Sequence, residues 1–420
     1  MARSFIAFSG SRRFFQFFIL PSVLILSLAC SGSIAHQTAD GATPATSDNT
    51  DPANSRAYIF TTDYQSSGQL YQASAADGET SLTNTGLSYL GSSAIIRVYD
   101  SLVYVLHDGF STVSTDNLQI VDPDGSYATL GQYSTGNGTN PHDVLVTGSR
   151  AFITLYNPTA DEENLDSENR PGDVIEMNTA TGEIVNRFSF QDYLSDDGDQ
   201  NANADQMALS GNLLYVTLQD LEANTFAANS NGLIGIIDIE TNIVLDVIEL
   251  QGRNPVGLAL SSDGTTLAVA NMATYDFSLG NFDTSATYGG IEIVDLETQQ
   301  SAVLIDDASL GGFVERIESN ETNWYVVISE LDSATFSYSS RLLNAPQEAT
   351  SAEEFTVLDD AGTDIREIAI DENVLWVSRR QINTQTGLSE PELEAIDLAT
   401  ASRIGELLVP AAPGMSMVGY

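Results

Sequence analysis

Short runs of alternating apolar and polar residues, separated by turn residues, cover most of the chain beyond residue 55. The stretch RNPVGLALSSDGTTLAVAN, residues 253–271, has two such runs around a Ser-Asp-Gly turn, and an Asn-Pro pair opens the first run. Alternation with a period of two predicts β-strands, and no segment keeps a helical period long enough to compete. The sequence therefore predicts an all-β protein built from hairpins.

The same strand–turn–strand unit recurs along the chain. With the apolar alternation held in register, its copies fall at residues 93–109, 140–157, 203–220, 253–271, 311–329 and 364–380. Each copy continues into a third strand that ends in an acidic turn, as in LIGIIDIETN, and then into a fourth, outer strand. Four short strands per unit at a period of about fifty residues are typical of propeller blades rather than of helical solenoids. These copies predict six blades.

The two ends of the chain supply the parts of one further blade. Residues 56–83 have a second, third and fourth strand without a first, and PGMSMVGY, residues 413–420, has the pattern of a first strand alone. We expect the C-terminal strand to pair with the N-terminal strands, since this closes the ring and leaves no exposed strand edge at either end. The sequence thus predicts a seven-bladed β-propeller over residues 56–420.

The repeated features, Asn-Pro, alternating apolar residues, Ser-x-Asp-Gly, LAVAN and IIDIETN, resemble the YVTN-type β-propeller repeat of bacterial secreted and surface proteins. The resemblance is strongest over residues 232–299. It is weakest in the fifth unit, where LDSATFSYSSRLLNAPQEATSAEEFTVL has no clear IVD strand. It implies a propeller fold but no particular activity, because propellers host lactonases, dehydrogenases and plain binding scaffolds alike.

The N-terminus has the pattern of an export signal. Three arginines precede the apolar run FFQFFILPSVLILSLA, which ends at the single cysteine, Cys30, so residues 1–29 are predicted to be a signal peptide. LSLAC resembles a bacterial lipobox, although Ser27 and Leu28 stand where a leucine and a small residue are usual. Lipidation of Cys30 and ordinary cleavage near ACSGS both stay open.

The small, polar and aperiodic residues 30–55 are predicted to form a flexible tether. The expected location is the bacterial cell envelope, either as an outer-membrane or surface lipoprotein or as a periplasmic or secreted protein. Membrane association is expected only through a lipid on Cys30.

The charge of the chain excludes several classes of partner. The sequence has 58 acidic residues, 15 arginines and no lysine, and the signal peptide carries three of those arginines. Nucleic acids and anionic membranes require clustered cations, so neither is an expected partner. The many acidic side chains of the folded chain repel one another. Dissolved salt screens this repulsion, so the charge suggests a salty environment. We expect a monomer.

Candidate chemistry lies where the first strands line the central channel. Residues near the start of these strands should gather around the axis, and the charged ones are His142, Asp143, Asp205, Arg366 and Glu367, with Arg97 and Arg316 two positions further in. Such a group could bind a ligand, or use His142 with the carboxylates as general acid and base. Alternatively, the charges pair with one another and with channel water.

Two further features concern loops. DDGDQNANAD carries oxygen ligands at every second residue, which suggests a calcium site formed by Asp197, Asp199, Asn201, Asn203 and Asp205. Calcium is the one cofactor that the sequence suggests. Residues 160–173 and 273–290 are long insertions between second and third strands, and we expect them on the face opposite the loops that enter the channel.

These observations favour a non-catalytic module that binds a protein, a peptide or a glycan, with His142, Asp143, Arg316, Arg366 and Glu367 as candidate ligand-binding residues. The alternative is a propeller lactonase or hydrolase that uses His142, Asp205 and Glu367. A structural component of the envelope is a third possibility.

Overall fold

A computed structural model of the protein describes residues 55–419 apart from 63–66, 77, 91–93, 109–115, 167, 169, 196–199, 223–224, 226, 229, 273, 277–280, 283–288, 336, 361, 383–388 and 410–415. The predicted signal peptide, Cys30 and the tether up to residue 54 lie outside the described residues. Within them, no helix is long and apolar enough to cross a membrane.

The fold is a ring of seven four-stranded antiparallel sheets, which confirms the predicted seven-bladed β-propeller. We number the blades 1 to 7 in the order of their first, innermost strands. Blades 1 to 3 consist of Ala94–Tyr99, Leu102–His107, Asn117–Asp122 and Ala128–Ser134; Pro141–Thr147, Arg150–Leu155, Val174–Asn178 and Ile184–Phe188; and Ala204–Ser210, Leu213–Leu218, Leu233–Asp238 and Ile243–Glu249.

Blades 4 to 6 consist of Pro255–Leu260, Thr266–Asn271, Gly290–Asp295 and Gln300–Asp306; Phe313–Ser319, Asn323–Asp332, Ser337–Pro346 and Thr356–Asp359; and Asp364–Asp371, Val374–Ile382, Ser389–Asp397 and Ser402–Leu408. A two-stranded hairpin, Tyr275–Asp276 with Asn281–Phe282, extends from blade 4. The described residues also form the short α-helix Asp307–Leu310 and the 3₁₀-helices Pro158–Ala160, Glu162–Asn164, Gln191–Tyr193 and Ala352–Glu354.

Blade 7 joins the two ends of the chain, as the sequence predicts. Its first strand is the C-terminal Ser416–Gly419, which pairs antiparallel with Ser55–Thr62, and Ser67–Ala76 and Glu79–Leu90 follow outward. A Cβ atom on Gly419 would lie 2.1 Å from the carbonyl oxygen of Ile370 in blade 6. Glycine at this position therefore lets the closing strand approach its neighbour closely.

The hydrophobic core is divided among the interfaces between blades. Among the described residues, one cluster of buried apolar side chains fills each of the seven interfaces. The first strands of consecutive blades also contact each other around the whole ring. Trp376 of blade 6 donates a hydrogen bond from its indole nitrogen to the Ser55 hydroxyl, at 3.0 Å, beside the closing blade. Burial of apolar surface between blades thus stabilises the ring as a whole.

The acidic turns of the repeat have a local structural role. In the hairpin between the third and fourth strands of blade 3, the Asp238 carboxylate accepts the backbone N–H groups of Glu240 and Thr241 at 2.8 and 3.2 Å. Asn242 then takes a positive φ of 59°, which asparagine tolerates better than most residues. A hydrogen bond from the Thr241 side chain, together with these backbone N–H groups, lowers the pKa of Asp238. The Asp-x-x-Thr pattern, which recurs at Asp295 and Asp397 with the same hydrogen bonds, is therefore a turn signal rather than a site.

Asparagines mark the opposite end of the blades. Asn140, Asn203 and Asn254 precede the first strands of blades 2, 3 and 4, with φ values of 49°, 48° and 54°. Their carbonyl oxygens accept N–H groups from the ends of the second strands. We call this end of the ring, where the first strands begin, the upper face, and the opposite end the lower face.

The insertions between second and third strands lie on the upper face, so the expectation that they occupy the opposite face is wrong. A second strand runs antiparallel to the first and therefore ends where the first begins. The Thr159 hydroxyl donates to Asn201, in the loop that enters blade 3, at 2.8 Å. Phe282 of the second insertion lies against Phe313 at the start of blade 5, with ring centroids 4.2 Å apart.

Blade 5 departs from the repeat in its outer half. Its third strand is Ser337–Pro346, which is long and rich in serine, and its fourth is Thr356–Asp359, which is short. A capping box in which Ser351 and Glu354 satisfy each other's backbone groups begins the 3₁₀-helix between them. This explains why the apolar pattern of the fifth unit is weak.

Asp307 connects fold stability to pH. It begins the short α-helix between blades 4 and 5 and is fully buried, which raises its pKa to about 7, while the backbone N–H of Val314 acts in the opposite direction. The folded state therefore binds this proton more tightly than the unfolded state. The contribution of Asp307 to the unfolding free energy should fall as the pH rises from about 4 to about 7.

We expect Asp307→Asn to raise the unfolding free energy at pH 8 by about 2 kcal/mol, because it removes the cost of a buried charge. At pH 4 the gain should vanish, since the native carboxyl is protonated there. Urea unfolding at both pH values measures the difference, with Asp306→Asn, which keeps its helix-capping oxygen, as the control. Equal gains at both pH values would contradict the assignment.

Candidate ligand site at the upper end of the channel

A β-bulge interrupts the first strand of five blades at the same level. The bulged residues in blades 2 to 6 are His142, Asp205, Val256, Glu315 and Arg366. A bulge places an extra residue in one strand and redirects its side chain. Four of the five bulges carry a charged or titratable residue, so this level of the channel is polar although the blades are apolar.

One member of this set differs from the sequence-based alignment. Aligning the apolar positions places Phe313 beside His142 and Asp205, whereas the strand register places Glu315 there. The first strand of blade 5 continues to Ser319, because the polar Glu318 and Ser319 are buried within it. The sequence pattern ends this strand two residues too early and so misses Glu315.

Arg97 connects blades 1, 2 and 3 by polar contacts. Its guanidinium forms an ion pair with Asp143 at 2.8 Å and donates to the side-chain oxygen of Gln206 at 3.2 Å. Asp143 also accepts the backbone N–H groups of Val144 and Met207 at 2.8 and 2.9 Å. Burial raises the pKa of Asp143 to about 6, and Arg97 and the two N–H groups counteract part of this shift.

His142 and Asp205 meet across the interface of blades 2 and 3. The His142 Nδ1 lies 3.4 Å from Asp205 Oδ1, and its Nε2 lies 3.0 Å from the side-chain nitrogen of Asn140. The imidazole stacks on Tyr156, with centroids 4.2 Å apart and planes 20° from parallel. Both ring nitrogens and one ring face are therefore occupied by protein groups.

Asp205 is likewise surrounded. Its two carboxylate oxygens accept side-chain N–H groups of Gln206 at 3.0 Å and Gln219 at 2.7 Å. The Tyr156 hydroxyl donates to the Gln219 oxygen at 2.7 Å, which completes a closed network with His142. The exposed fraction is 2% for His142 and 0% for Asp205. A side chain that lined an open aqueous channel would keep accessible surface, so side chains fill the channel at this level of blades 2 and 3.

A second polar group connects blades 5 and 6. The Arg316 Nε lies 3.4 Å from the Glu367 carboxylate, and its Nη1 donates to the Glu315 carbonyl oxygen at 2.7 Å. The Ser329 hydroxyl donates to the Glu315 carboxylate and lies 2.8 Å from the Ser340 hydroxyl. Burial raises the pKa of Glu315, with Arg316 acting in the opposite direction.

The predicted calcium ligands are only partly described. Asp197 and Asp199 lie outside the described residues. Asn201 accepts hydrogen bonds from Thr159, Asn203 accepts the backbone N–H of Leu221, and Asp205 belongs to the network with His142. Within the described part of the chain, no group of three His, Cys, Asp or Glu side chains could hold a metal ion. Calcium at this loop stays a prediction.

The sequence identifies most of the charged residues at this level, and the structure distributes them over two clusters. Arg97, His142, Asp143 and Asp205 belong to blades 1 to 3, whereas Arg316, Arg366 and Glu367 belong to blades 5 and 6. Residues that complete the network, such as Tyr156 and Gln219, were missed. Each immediately follows the last residue of a second strand, where the apolar pattern has already ended.

Comparison with solved structures supports the fold alone. A Bacteroides fragilis protein provisionally named a 6-phosphogluconolactonase aligns with a TM-score of 0.56 and 12% identity, over 90% of this chain and 100% of that chain. A functionally unknown protein from Desulfotomaculum acetoxidans gives 0.51 and 13%, over 87% and 99%. A dihydro-heme d1 dehydrogenase gives 0.49 and 11%, over 92% and 79%.

No protein-family model matches the chain, and no curated protein does. The YVTN-type repeat therefore stays a resemblance of sequence. The class that the fold defines is the seven-bladed β-propeller.

The Arg97–Asp143 pair allows a test of the filled channel. Asp143→Ala leaves a buried guanidinium without its carboxylate, which should lower the unfolding free energy by about 3 kcal/mol. Replacing the pair together, Arg97→Met with Asp143→Leu, should recover most of this loss because no buried charge remains. Urea unfolding of the single and double variants provides the measurement.

The exposed pair Arg170–Asp192, at 2.9 Å, offers a matched control. Asp192→Ala should change the unfolding free energy by less than about 1 kcal/mol, since water screens such a pair. A double variant no more stable than Asp143→Ala would show that the pair does not lie in a desolvated channel.

Proposed function

We propose that this protein is an exported, non-catalytic binding module that takes a protein, peptide or glycan ligand on its upper face. The observation that carries the proposal is the burial of the residues a hydrolase would need: the exposed fractions of His142, Asp205 and Glu367 are 2%, 0% and 1%. A general acid or base must reach the substrate directly or through one water. Groups that are buried and bonded to one another serve better as a rigid support for a surface.

The upper face offers that surface. It carries the insertion between the second and third strands of blade 2, whose Asp161 accepts the backbone N–H of Asn137 at 2.9 Å, and the hairpin at the same point of blade 4, whose Phe282 lies against Phe313. The lower face, by comparison, consists mainly of short acidic turns such as that of Asp238. Loops held on a rigid scaffold are common sites of recognition.

The position of the chain ends supports a tethered arrangement. Ser55 begins the second strand of blade 7 on the lower face, where the backbone N–H of Arg56 donates to Asp371 at 2.7 Å. The closing strand ends at Gly419, opposite Ala57, on the same face. A lipid on Cys30 would therefore attach the propeller to a bacterial membrane through its lower face, by way of the predicted flexible tether.

We expect Cys30→Ser to release the protein from the membrane fraction of an expressing Gram-negative cell, because the substitution removes the acylation site. Fractionation with detection of the folded propeller measures this. Because the sequence has no second cysteine to substitute, the control is Ser31→Ala, which should stay in the membrane fraction. Equal membrane association of wild type and Cys30→Ser would exclude the lipid anchor and leave the ordinary signal peptide.

The second candidate is a propeller lactonase or hydrolase. The 3.4 Å contact between His142 and Asp205 favours it, since a carboxylate that orients an imidazole is a common arrangement for proton transfer. The Bacteroides fragilis protein, which has a provisional lactonase name, shares only the fold with this chain, and a shared fold does not establish an activity.

Turnover assays distinguish the two functions. For a binding module, we expect no hydrolysis of a panel of lactones and esters above the buffer rate, either by the wild type or by His142→Ala. Hydrolysis by the wild type that is lost in His142→Ala and retained in His107→Ala would instead establish the enzyme. His107 is a suitable control because it is also buried and hydrogen-bonded, to Gln119 at 3.0 Å, but lies in a second strand.

A further inference from the structure

A groove opens at the lower end of the interface between blades 7 and 1. Its volume is about 330 Å³, and the described residues that line it are Arg56, Gln72, Ser74, Ala75, Ala76 and Thr83. This lining includes one cation and no carboxylate, although the chain has 58 acidic residues. Arg56 and Thr83 are exposed, and Gln72 and Ser74 are only partly buried, so a ligand can reach all four side chains.

The strand register of blade 7 places these polar side chains together. Arg56 lies directly opposite Ser74, and Gln72 lies directly opposite Thr83. The Ser74 hydroxyl lies 2.7 Å from that of Ser81 on the next strand outward. Opposite residues of antiparallel strands have Cβ atoms about 5 Å apart, and residues two apart along a strand point to the same face. The guanidinium, the amide and the hydroxyls therefore share one face of the sheet.

Tyr127 of blade 1 holds the amide of this groove in place. Its hydroxyl donates to the Gln72 Oε1 at 2.7 Å, and its ring meets Tyr58 edge to face, with centroids 6.3 Å apart. Its φ of 59° is left-handed, which is uncommon for a bulky residue and persists only where the surroundings fix it. The two contacts with blade 7 provide that support.

The fixed orientation of Gln72 leaves its donors available. The Gln72 oxygen accepts from Tyr127, whereas its amide N–H groups and the Thr83 hydroxyl have no hydrogen-bond partner among the described residues. The Arg56 guanidinium contributes only donors as well. The groove thus offers a positive charge, an amide donor and two hydroxyls within a few ångströms.

We infer that this groove binds a sugar acid, meaning a sugar ring that carries a carboxylate. The carboxylate accepts hydrogen bonds from the Arg56 fork and the Gln72 amide. The hydroxyls of Ser74 and Thr83 both donate and accept, as the hydroxyls of a sugar do. Ligand pockets have volumes of about 300 to 1,000 Å³, so this groove has room for one ring rather than for several.

The acidic surface of the chain opposes any anion at long range. At physiological ionic strength this repulsion is screened beyond about 8 Å, whereas a direct contact with Arg56 is not. The local donors therefore decide which ligand binds. The groove lies on the lower face, so this inference is independent of the ligand proposed for the upper face.

The first test uses defined small molecules, titrated into the full propeller and followed by NMR. The probes are glucuronate and galacturonate, with glucose and galactose as their neutral counterparts and acetate as the carboxylate alone. We expect the wild type to bind at least one uronate 10-fold or more tightly than its neutral counterpart and than acetate, because only the uronate uses both kinds of contact.

The second test uses variants of the groove. Arg56→Gln keeps a donor but removes the charge, so uronate affinity should fall roughly 10- to 100-fold. The matched control is Arg187→Gln, which removes the same charge from an exposed position on the fourth strand of blade 2 and should bind as the wild type does. Gln72→Glu keeps the oxygen that accepts from Tyr127 but adds a carboxylate, so uronate binding should be lost while the urea midpoint stays close to that of the wild type.

Several outcomes would overturn the inference. These are absence of uronate binding, binding of the neutral sugars or of acetate as tightly as the uronates, and equal losses in Arg56→Gln and Arg187→Gln, which would assign the effect to net charge. Tighter binding of trigalacturonate than of galacturonate supports the site with a polysaccharide residue as its ligand. Equal binding of the two supports it with a free sugar acid.

Discussion

Packing of each blade against its two neighbours is the interaction on which the rest of this protein depends. The buried apolar residues form one cluster per interface, so no blade has a core of its own and each is stabilised only within a closed ring. Pairing of Ser416–Gly419 with Ser55–Thr62 closes that ring by hydrogen bonds between the two ends of the chain. Because the sequence has a single cysteine, Cys30, no disulfide within the chain can replace this closure.

The ring surrounds a polar channel whose side chains form hydrogen bonds and ion pairs mainly with one another. Bulges in the first strands direct His142 and Asp205 toward each other, and Tyr156 and Gln219 complete the set of hydrogen bonds. Buried charges are costly unless paired, so the Arg97–Asp143 contact follows from the same requirement. In blades 5 and 6, the contact between Arg316 and Glu367 meets the same requirement.

Topology decides which face can recognise a ligand. Antiparallel strands bring the loops that enter each blade and the insertions between second and third strands to one face. The short acidic hairpins, Ser55 and Gly419 lie on the other. Expecting the insertions opposite the channel loops was an error of strand direction. The corrected arrangement places the long loops and the bulged residues at the same end of the ring.

By itself, the sequence determined the fold class, the blade number and the closing strand, because alternation with period two and a repeat near fifty residues are local properties of the chain. It also placed His142 and Asp205 at one level of the channel. Only the tertiary structure decided that these side chains are buried in a closed network and that Glu315 rather than Phe313 occupies the bulge of blade 5. Bulge register and side-chain satisfaction depend on contacts between blades far apart in sequence, which no local pattern records.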